Sequence, residues 1–365
     1  MTPDSAEVSL KLTAYFAERQ RTGSRFLAES MLDLFAQRHV ATSVMVRGIS
    51  GFGQRHIIRT DESLTLSEDP SVAVAAVDHP DTIRALVDDV VDMTNSGLIT
   101  LERARLLDGD VTAVPLPGST GAGDAVKVTV YVGRNRRVDG VPSYRAVCDV
   151  LHANGFAGAS VFLGVDGTVH GQRQRAHLIG RNVDVPLMII AIGSAEQVRA
   201  SRQQLAALLQ RPLVTVERAR LCKLGGLVVS SPPALPEADE HGRPLWQKLM
   251  VFTSEASRHG GAPVHRALVR RLWESGASSG ATVLRGIWGY HGDHEPRGDK
   301  LIQFGRQVPV ATIIVGTPAR IARSFDVVDE VTGPHGLVTC EMVPALLAVD
   351  GHQRLGALDL ADFRY

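Results

Sequence analysis

The chain repeats one domain-sized pattern three times, and this repetition constrains its fold more than any other feature. Each copy opens on a lysine-led segment of β-forming residues, at Lys11–Tyr15, Lys127–Tyr131 and Lys248–Phe252. Each copy closes on a second related segment, at 98–103, 213–218 and 337–342. Solenoid units usually run about 20–50 residues, whereas these copies have the length of a small autonomous domain. We therefore expect three domains, at 8–107, 125–222 and 246–347.

The patterning within repeat 1 predicts the element order β-α-β-β-α-β. Alternating residues at 8–16 predict a first strand, and helical spacing predicts a helix to about Arg38 with Ser24 as its N-cap. A second strand is expected at 42–49, before a polar glycine-containing loop. This order indicates an α+β, ferredoxin-like domain with one antiparallel sheet and two helices on one face. The other sheet face needs a cover, which sibling repeats can supply.

Composition excludes several function classes. The formal net charge of the 365-residue chain is +0, so no overall field attracts nucleic acid or anionic lipid. No apolar run reaches the ~18–20 residues that span a bilayer, and the N-terminus lacks the pattern of a secretory signal. Three scattered cysteines argue against a disulfide framework. We expect a cytoplasmic protein that neither inserts into membranes nor binds nucleic acid.

Glycine-rich segments after the second strands are the best candidates for a binding site. Glycine lets backbone N–H groups approach an anion closely, and the preceding arginine can pair with a phosphate. The candidate ligand contacts in these segments are Arg47, Gly48, Gly51, Gly53, Arg285, Gly286 and Gly289. Repeat 2 has Leu163 at the arginine position, which predicts weaker anion binding there. The alternative is that the glycines only form a β-hairpin connection.

Lysine usage gives a second signal. Only five of the 39 basic residues are lysines, and three of them, Lys11, Lys127 and Lys248, occupy equivalent positions on the first strands. Such selective retention indicates either ligand contact or a charge that protects a strand edge from aggregation. Glu102 and Arg103 on the last strand are a further candidate pair, either for a ligand or for a cross-strand or inter-domain ion pair.

No catalytic or metal-binding constellation recurs across the repeats, so the sequence predicts a protein that is not an enzyme and holds no metal or cofactor. Gly276–Gly280 matches a nucleophile-elbow pattern, but it lies between a helix and the following strand, the reverse of the required order. His291 and His294 leave a metal-dependent enzyme as one alternative. A structural or protein-interaction module without a small ligand is the other.

Several of these segments resemble a known family. The opening at Lys11, the run from Val46 to Gly53, Ser67–Pro70 and the closing segment 98–103 are together similar to the PII-like bacterial proteins long described only as a domain of unknown function. Repeat 1 matches most fully, and repeat 2 is the most divergent.

The resemblance implies a trimer of ferredoxin-like domains that binds adenine nucleotides in clefts between subunits. For this chain it implies an intramolecular pseudo-trimer, monomeric because all three copies are covalently joined. The effector would be an adenine nucleotide or a similar anionic small molecule. The role would be regulatory: ligand would order the glycine-rich loops, which signal to an unidentified protein target such as an ion transporter.

Overall fold

The computed structural model describes residues 9–53, 57–60, 69–108, 116, 121, 123–175, 185–209, 211–291, 297–298 and 308–363. Within these ranges each repeat contains four main strands and two helices in the predicted order. The first strands are Ser9–Ala17, Asp124–Gly133 and Trp246–Ser254, and the second strands are Thr42–Phe52, Gly158–Val169 and Ala281–His291. The third strands are Ser71–Asp78, Pro186–Gly193 and Pro309–Gly316, and the fourth strands are Ser96–Asp108, Leu213–Leu224 and Leu337–Val343.

The helices follow the first and third strands. The first helices are Leu27–Gln37, Ser143–Ala153 and Val264–Ser275, and the second helices are Pro80–Met93, Ala195–Leu208 and Pro318–Thr332. Their apolar residues recur at helical spacing, as at Leu27, Met31 and Phe35, which are all buried. Among the described residues, none of the helices combines the length and hydrophobicity needed to cross a membrane.

Each repeat forms a four-stranded antiparallel layer in the order second, third, first, fourth. In repeat 1 the first strand therefore lies between the third and fourth, with Lys11 opposite both Val77 and Glu102. The second strand pairs with the third on its outer side. Each repeat has its own apolar core between sheet and helices, and a further apolar cluster contains residues of all three repeats.

Two local predictions need correction. Ser24 does not cap the first helix, which begins at Leu27 with Phe26 at the N-cap position and no side-chain cap. Ser24 lies instead in the turn of a small hairpin, Arg21–Thr22 with Arg25–Phe26, and the other repeats have the same hairpin. The second strand does not end at Ile49 but continues to Phe52, because its glycine-rich end pairs with another repeat.

The second strands of the three repeats pair in a closed cycle. The end of the repeat 1 strand pairs with the start of the repeat 3 strand, with Phe52 opposite Ala281. The end of the repeat 3 strand pairs with the start of the repeat 2 strand, with His291 opposite Gly158. The end of the repeat 2 strand returns to repeat 1.

The fourth strands form a similar cycle. The end of the repeat 1 strand pairs with the repeat 2 strand, and the end of the repeat 2 strand pairs with the repeat 3 strand. A further strand that the sequence pattern did not reveal, Ala345–Asp350, carries the chain from repeat 3 back to repeat 1 and forms a hairpin with Gln353–Ala357. Each repeat therefore contacts both others through backbone hydrogen bonds.

Candidate functional site

Six charged side chains form a closed ring where the three repeats meet. We call Lys11, Lys127, Lys248, Glu102, Glu217 and Glu341 the ion-pair ring. Every member is at most 9% exposed. Each lysine stands opposite the glutamate of its own repeat in strand register and also reaches a glutamate of another repeat. Lys11 Nζ lies 3.0 Å from Glu217 Oε1, Lys127 contacts Glu341, and Lys248 contacts Glu102.

Charge compensation decides the ionisation of the ring. Burial works to raise the pKa of Glu102, but the ammonium groups of Lys11, Lys248 and Lys127 outweigh it and hold that pKa well below its usual range. Burial works to lower the pKa of Lys248, but Glu102 and Glu341 outweigh it and raise that pKa. For Lys127 burial prevails over Glu217 and Glu341, so its pKa is lowered. The pKa of Glu217 is lowered in the same way as that of Glu102, because Lys11 and Lys127 outweigh the effect of its burial.

The ring corrects the interpretation of the three lysines. They were expected either to contact a ligand or to protect strand edges, but their strands are interior and their ammonium groups are enclosed by carboxylates. They therefore offer no surface to a ligand in solvent. Glu102 takes the inter-domain pairing that the sequence left open. Arg103 donates from Nη2 to the backbone oxygen of Ala361, at 2.7 Å.

A fourth lysine, Lys223, also forms an ionic contact between two repeats. Lys223 is 1% exposed, and its ammonium group donates to the backbone oxygen of Asp329 at 3.1 Å and also contacts the Asp329 carboxylate. A cation near the C-terminal end of a helix is favourable. Lys223 thus ties the fourth strand of repeat 2 to the second helix of repeat 3. Lys300, the remaining lysine, lies outside the described residues.

The candidate glycines lie where the second strands cross, not in open loops. A Cβ atom at Gly51 would lie 2.4 Å from the backbone oxygen of Ala281, and one at Gly289 would lie 2.2 Å from that of Ala159. Gly48 and Gly286 are crowded both by their own repeat, at Ser71 and Pro309, and by the Val283 and Val161 backbone oxygens of another repeat, at 3.0 and 2.9 Å. Repeat 2 keeps both glycines, because a Cβ at Gly167 would lie 2.1 Å from the Ser43 oxygen. Close backbone approach therefore explains them.

Gly53 differs from the other candidate glycines. It follows the end of the second strand, and a Cβ atom there would meet open space.

Arg47 and Arg285 each pair with an acid at the end of the first strand. Arg47 Nε contacts Glu18 Oε1, and Arg285 Nη2 lies 2.9 Å from Glu255 Oε2. The Arg47 side chain is 60% exposed and that of Arg285 is 24% exposed. Repeat 2 has lost both partners of this pair, since Leu163 stands at the arginine position and Arg134 at the acid position. These two arginines are accessible to solvent, unlike the ring lysines.

The three inter-repeat junctions use different chemistry. At the equivalent position near the end of each second strand stand Phe52, Thr168 and Tyr290. Phe52 joins the apolar core of repeat 3. Tyr290 packs edge-on against His152 of repeat 2, with ring centroids 4.8 Å apart. Thr168 Oγ1 instead donates to the Val40 backbone oxygen of repeat 1, at 3.0 Å.

Charged side chains reinforce the junction between repeats 1 and 2. Arg173 pairs in two places with Asp166, with Nη2 to Oδ2 at 2.7 Å, and also contacts Asp33 on the first helix of repeat 1. Arg175 Nη1 lies 2.8 Å from Glu29 Oε1 on the same helix. The hairpin that follows the second strand of repeat 2 is therefore held against repeat 1.

The junction between repeats 2 and 3 is aromatic and has a cavity beside it. The Arg145 guanidinium lies 4.2 Å from the centroid of the Trp288 ring. The cavity, of about 330 Å³, opens in repeat 2 between the end of its first helix, the start of its second helix and the ends of its first, third and fourth strands. Its apolar walls are Phe156, Ile192, Leu221 and Leu224, and its polar lining is Asp124, His152, Ser194 and Gln197. The lining residues all come from repeat 2, and because Leu224 pairs with Leu337 of repeat 3, the cavity lies beside the boundary between these repeats.

Sequence reasoning missed the cavity, because its lining comes from separate segments that carry no motif. Only the small residue Gly193, at the end of the third strand, was a possible signal. Of the two histidines considered for a metal, His291 lies at the end of its second strand, with its ring centroid 6.1 Å from that of Phe252. His294 lies outside the described residues. The ring carboxylates approach within 4.8 Å of one another, but lysines already compensate them.

Three α+β repeats of one kind, joined through buried ion pairs and shared strands, define a tandem-repeat protein with a cavity at one repeat boundary. The chain belongs to the DUF190 family, described as "Uncharacterized ACR, COG1993", which matches residues 9–106, 125–221 and 246–345. A UPF0166 protein of Aquifex aeolicus (strain VF5) is 37% identical over 99 residues, which are 27% of this chain and 90% of that protein. The family relationship confirms the resemblance of all three repeats.

Comparison with solved structures gives only weak overall superpositions. Aspartate kinase from Synechocystis aligns over 95% of this chain and 46% of its own, with 12% identity and a TM-score of 0.25. A putative glycine cleavage system transcriptional repressor aligns over 59% of this chain and 99% of its own, with 12% identity and a TM-score of 0.18.

Proposed function

We propose that this protein is a PII-like regulatory protein, a monomer whose three ferredoxin-like repeats form an intramolecular pseudo-trimer. It binds an adenine nucleotide or a similar anionic small molecule at an inter-domain cleft and acts on a protein target, such as an ion transporter. It is not an enzyme and needs no metal or cofactor. The observation that carries this proposal is the cavity of repeat 2, beside its boundary with repeat 3.

The cavity has the character of a small-ligand site. Its volume of about 330 Å³ falls in the usual range of roughly 300–1,000 Å³, and such sites combine apolar walls with a few polar groups. Phe156, Ile192 and Leu221 would cover a flat ring, while His152 and Ser194 would supply polar contacts. Ser194 and its neighbours also begin the second helix of repeat 2, and a helix N-terminus favours an anion.

Charge favours an anion at this boundary over the boundary of repeats 1 and 2. The third strand ends on Gly193 in repeat 2 and on Asp78 in repeat 1. The Asp78 carboxylate accepts a hydrogen bond from the Ala41 backbone N–H, at 2.8 Å, so an acidic group stands at the equivalent place in repeat 1. An anionic ligand would meet repulsion there, whereas Asp124, the acid that lines the cavity of repeat 2, has Arg220 Nη2 3.5 Å away to offset its charge.

Arginines are the better candidates for phosphate contacts. Arg285 and Arg47 lie on the second strands and are partly exposed, whereas the ring lysines are enclosed. A phosphate of the bound ligand would replace Glu255 as the partner of Arg285, or Glu18 as the partner of Arg47. This exchange would change the position of the segment that follows the second strand. That segment would transmit the signal to the protein target.

Isothermal titration with AMP, ADP, ATP and cyclic AMP, with and without magnesium, tests the function. We expect saturable binding at fewer than three sites per chain, and weaker binding by Arg285→Ala. Ala157→Leu should fill the cavity and abolish binding there, because Ala157 lines it. Ala41→Leu is the matched control at the equivalent position of repeat 1 and should retain affinity.

Two results would count against the proposal in different ways. If the unsubstituted protein binds none of these nucleotides, the protein-interaction module without a small ligand becomes the preferred function. If Ala157→Leu binds as tightly as the unsubstituted protein, the function stands but the ligand occupies another cleft.

A further inference from the structure

A layer of threonines lies directly beside the ion-pair ring. Side chains two residues apart on a strand share a face. The residues two places after each ring lysine and two places before each ring glutamate therefore lie on the same sheet face as the ring. On the first strands these residues are Thr13, Thr129 and Met250, and on the fourth strands they are Thr100, Thr215 and Thr339. The six form three register pairs. Each is at most 4% exposed.

Parts of this layer lack hydrogen-bond partners in the protein. Thr100 Oγ1 donates to Glu102 Oε1, at 3.2 Å. Among the described residues, however, no group pairs with the hydroxyls of Thr13 and Thr339 or with Glu341 Oε1. Both ring lysines that reach Glu341 contact its other oxygen, Oε2. Leaving a buried hydroxyl or carboxylate oxygen unpaired is unfavourable, because the group has lost its hydrogen bonds to water.

The charge of the ring limits what could satisfy these atoms. Three lysines and three glutamates compensate each other, so a cation placed here would face three nearby ammonium groups and an anion three carboxylates. A neutral group that both donates and accepts meets neither penalty. Water is such a group, and buried waters typically make about three hydrogen bonds to otherwise unpaired polar atoms.

We propose that ordered water molecules occupy the space between the threonine layer and the ion-pair ring, bonded to Thr13, Thr339 and Glu341 Oε1. These waters join side chains of repeats 1 and 3 where direct contacts do not reach. The threonine layer is asymmetric, since Met250 replaces threonine in repeat 3. Water adapts its hydrogen bonds to such a mismatch, because it bonds in several directions.

Isosteric substitutions test this site through thermal unfolding. Thr339→Val and Thr13→Val keep the side-chain shape but remove a hydroxyl. If water bonds to that hydroxyl, both variants unfold at a lower temperature. If the space is dry, removing an unpaired hydroxyl leaves the midpoint unchanged or raises it, and the proposal fails. Thr100→Val is the control that should lower the midpoint in either case, because it loses a direct bond to Glu102.

A high-resolution crystal structure of the unsubstituted protein gives an independent test. We expect solvent density within hydrogen-bond distance of Thr339 Oγ1 and Glu341 Oε1. A dry interior, or density with the anomalous signal of a bound ion, would overturn the proposal.

Discussion

The ion-pair ring uses the same residue types in all three repeats, whereas the three junctions between the repeats use different ones. In the ring each repeat contributes the same two residues, a lysine and a glutamate, and every lysine bridges two repeats. At the junctions the equivalent residues are Phe52, Thr168 and Tyr290, which pack in three different ways. The ring is therefore the same in all three repeats, whereas the junctions differ from one another.

Because the three repeats are fused in one chain, each junction can have its own residues, which identical subunits do not allow. A trimer of one subunit has three identical junctions, and any substitution changes all of them. Here the junction of repeats 1 and 2 is fastened by Arg173 and Arg175, whereas at the junction of repeats 2 and 3 the Arg145 guanidinium lies over the Trp288 ring. The four predictions that follow test whether the ring and junctions differ in energy as they differ in chemistry.

Breaking the ion-pair ring should lower the free energy of unfolding more than any of the other changes. Lys127→Met leaves Glu217 and Glu341 without one of their lysines in a buried site. Removing one partner of a buried ion pair typically costs about 3–5 kcal/mol. We expect a loss of that order in the free energy of unfolding, measured by urea denaturation. Adding Glu341→Gln to Lys127→Met should recover part of the loss, and a double variant no more stable than the single one would contradict charge compensation.

Acid should weaken the ring more than it weakens the junctions. The pKa values of Glu102 and Glu217 are lowered in the folded protein, so their stabilisation is present above the unfolded value of about 4.3 and is lost as the pH falls. The raised pKa values of Lys11 and Lys248 give stabilisation that is present below about 10.4 and is lost as the pH rises.

Thermal unfolding measured between acid and neutral pH checks this expectation. Glu102→Gln should flatten the acid side of the curve, while Glu330→Gln, which removes an exposed partner of Arg271, should leave it unchanged. Equal acid sensitivity in both variants would argue against a ring that holds its glutamates ionised.

Crowding at a strand crossing should cause the next largest loss of stability. Gly51→Ala places a Cβ atom 2.4 Å from the Ala281 backbone oxygen, and overpacking of this kind costs about 1–3 kcal/mol. Gly53→Ala, two residues further along, meets open space and is the matched control. A lowered unfolding midpoint for Gly51→Ala alone is expected. Similar midpoints for the two variants would restore the reading of both glycines as loop residues.

The smallest effect should come from the charged junction of repeats 1 and 2. Arg173→Ala removes contacts to Asp166 and Asp33. Because the Arg173 side chain is 17% and that of Asp33 30% exposed, screening limits the expected loss to about 1 kcal/mol. The loss should shrink further in high salt. A salt-independent loss of several kcal/mol would mean that this junction stabilises the protein as strongly as the ion-pair ring does.

Local features of the fold were predictable because they depend on neighbouring residues. Apolar alternation predicted the first strand of repeat 1 to within one residue, as Ser9–Ala17, and helical spacing predicted the end of its first helix to within one residue, at Gln37. Predictions failed where another repeat supplies the partner. The second strand of repeat 1 continues through Gly48 and Gly51 because backbone of repeat 3 lies beside it, and no local pattern records that neighbour.

The candidate site was only partly predictable for the same reason. Selective lysine retention at positions 11, 127 and 248 indicated a positional need, and the structure places these lysines against glutamates at least 90 residues away in sequence. The cavity of repeat 2 is formed by segments from Asp124 to Leu224. Each segment is ordinary alone.

The amino-acid sequence by itself determined that the chain is three copies of one α+β domain and that lysine is required at one position of each copy. Both follow from repetition and short-range periodicity. The tertiary structure alone decided that these lysines meet three glutamates in a buried ring, that the glycines serve strand crossings, and that one repeat boundary has a cavity. The physical reason is that pairing and packing depend on groups brought together by the cyclic contact of all three repeats, which is a relation across the whole chain.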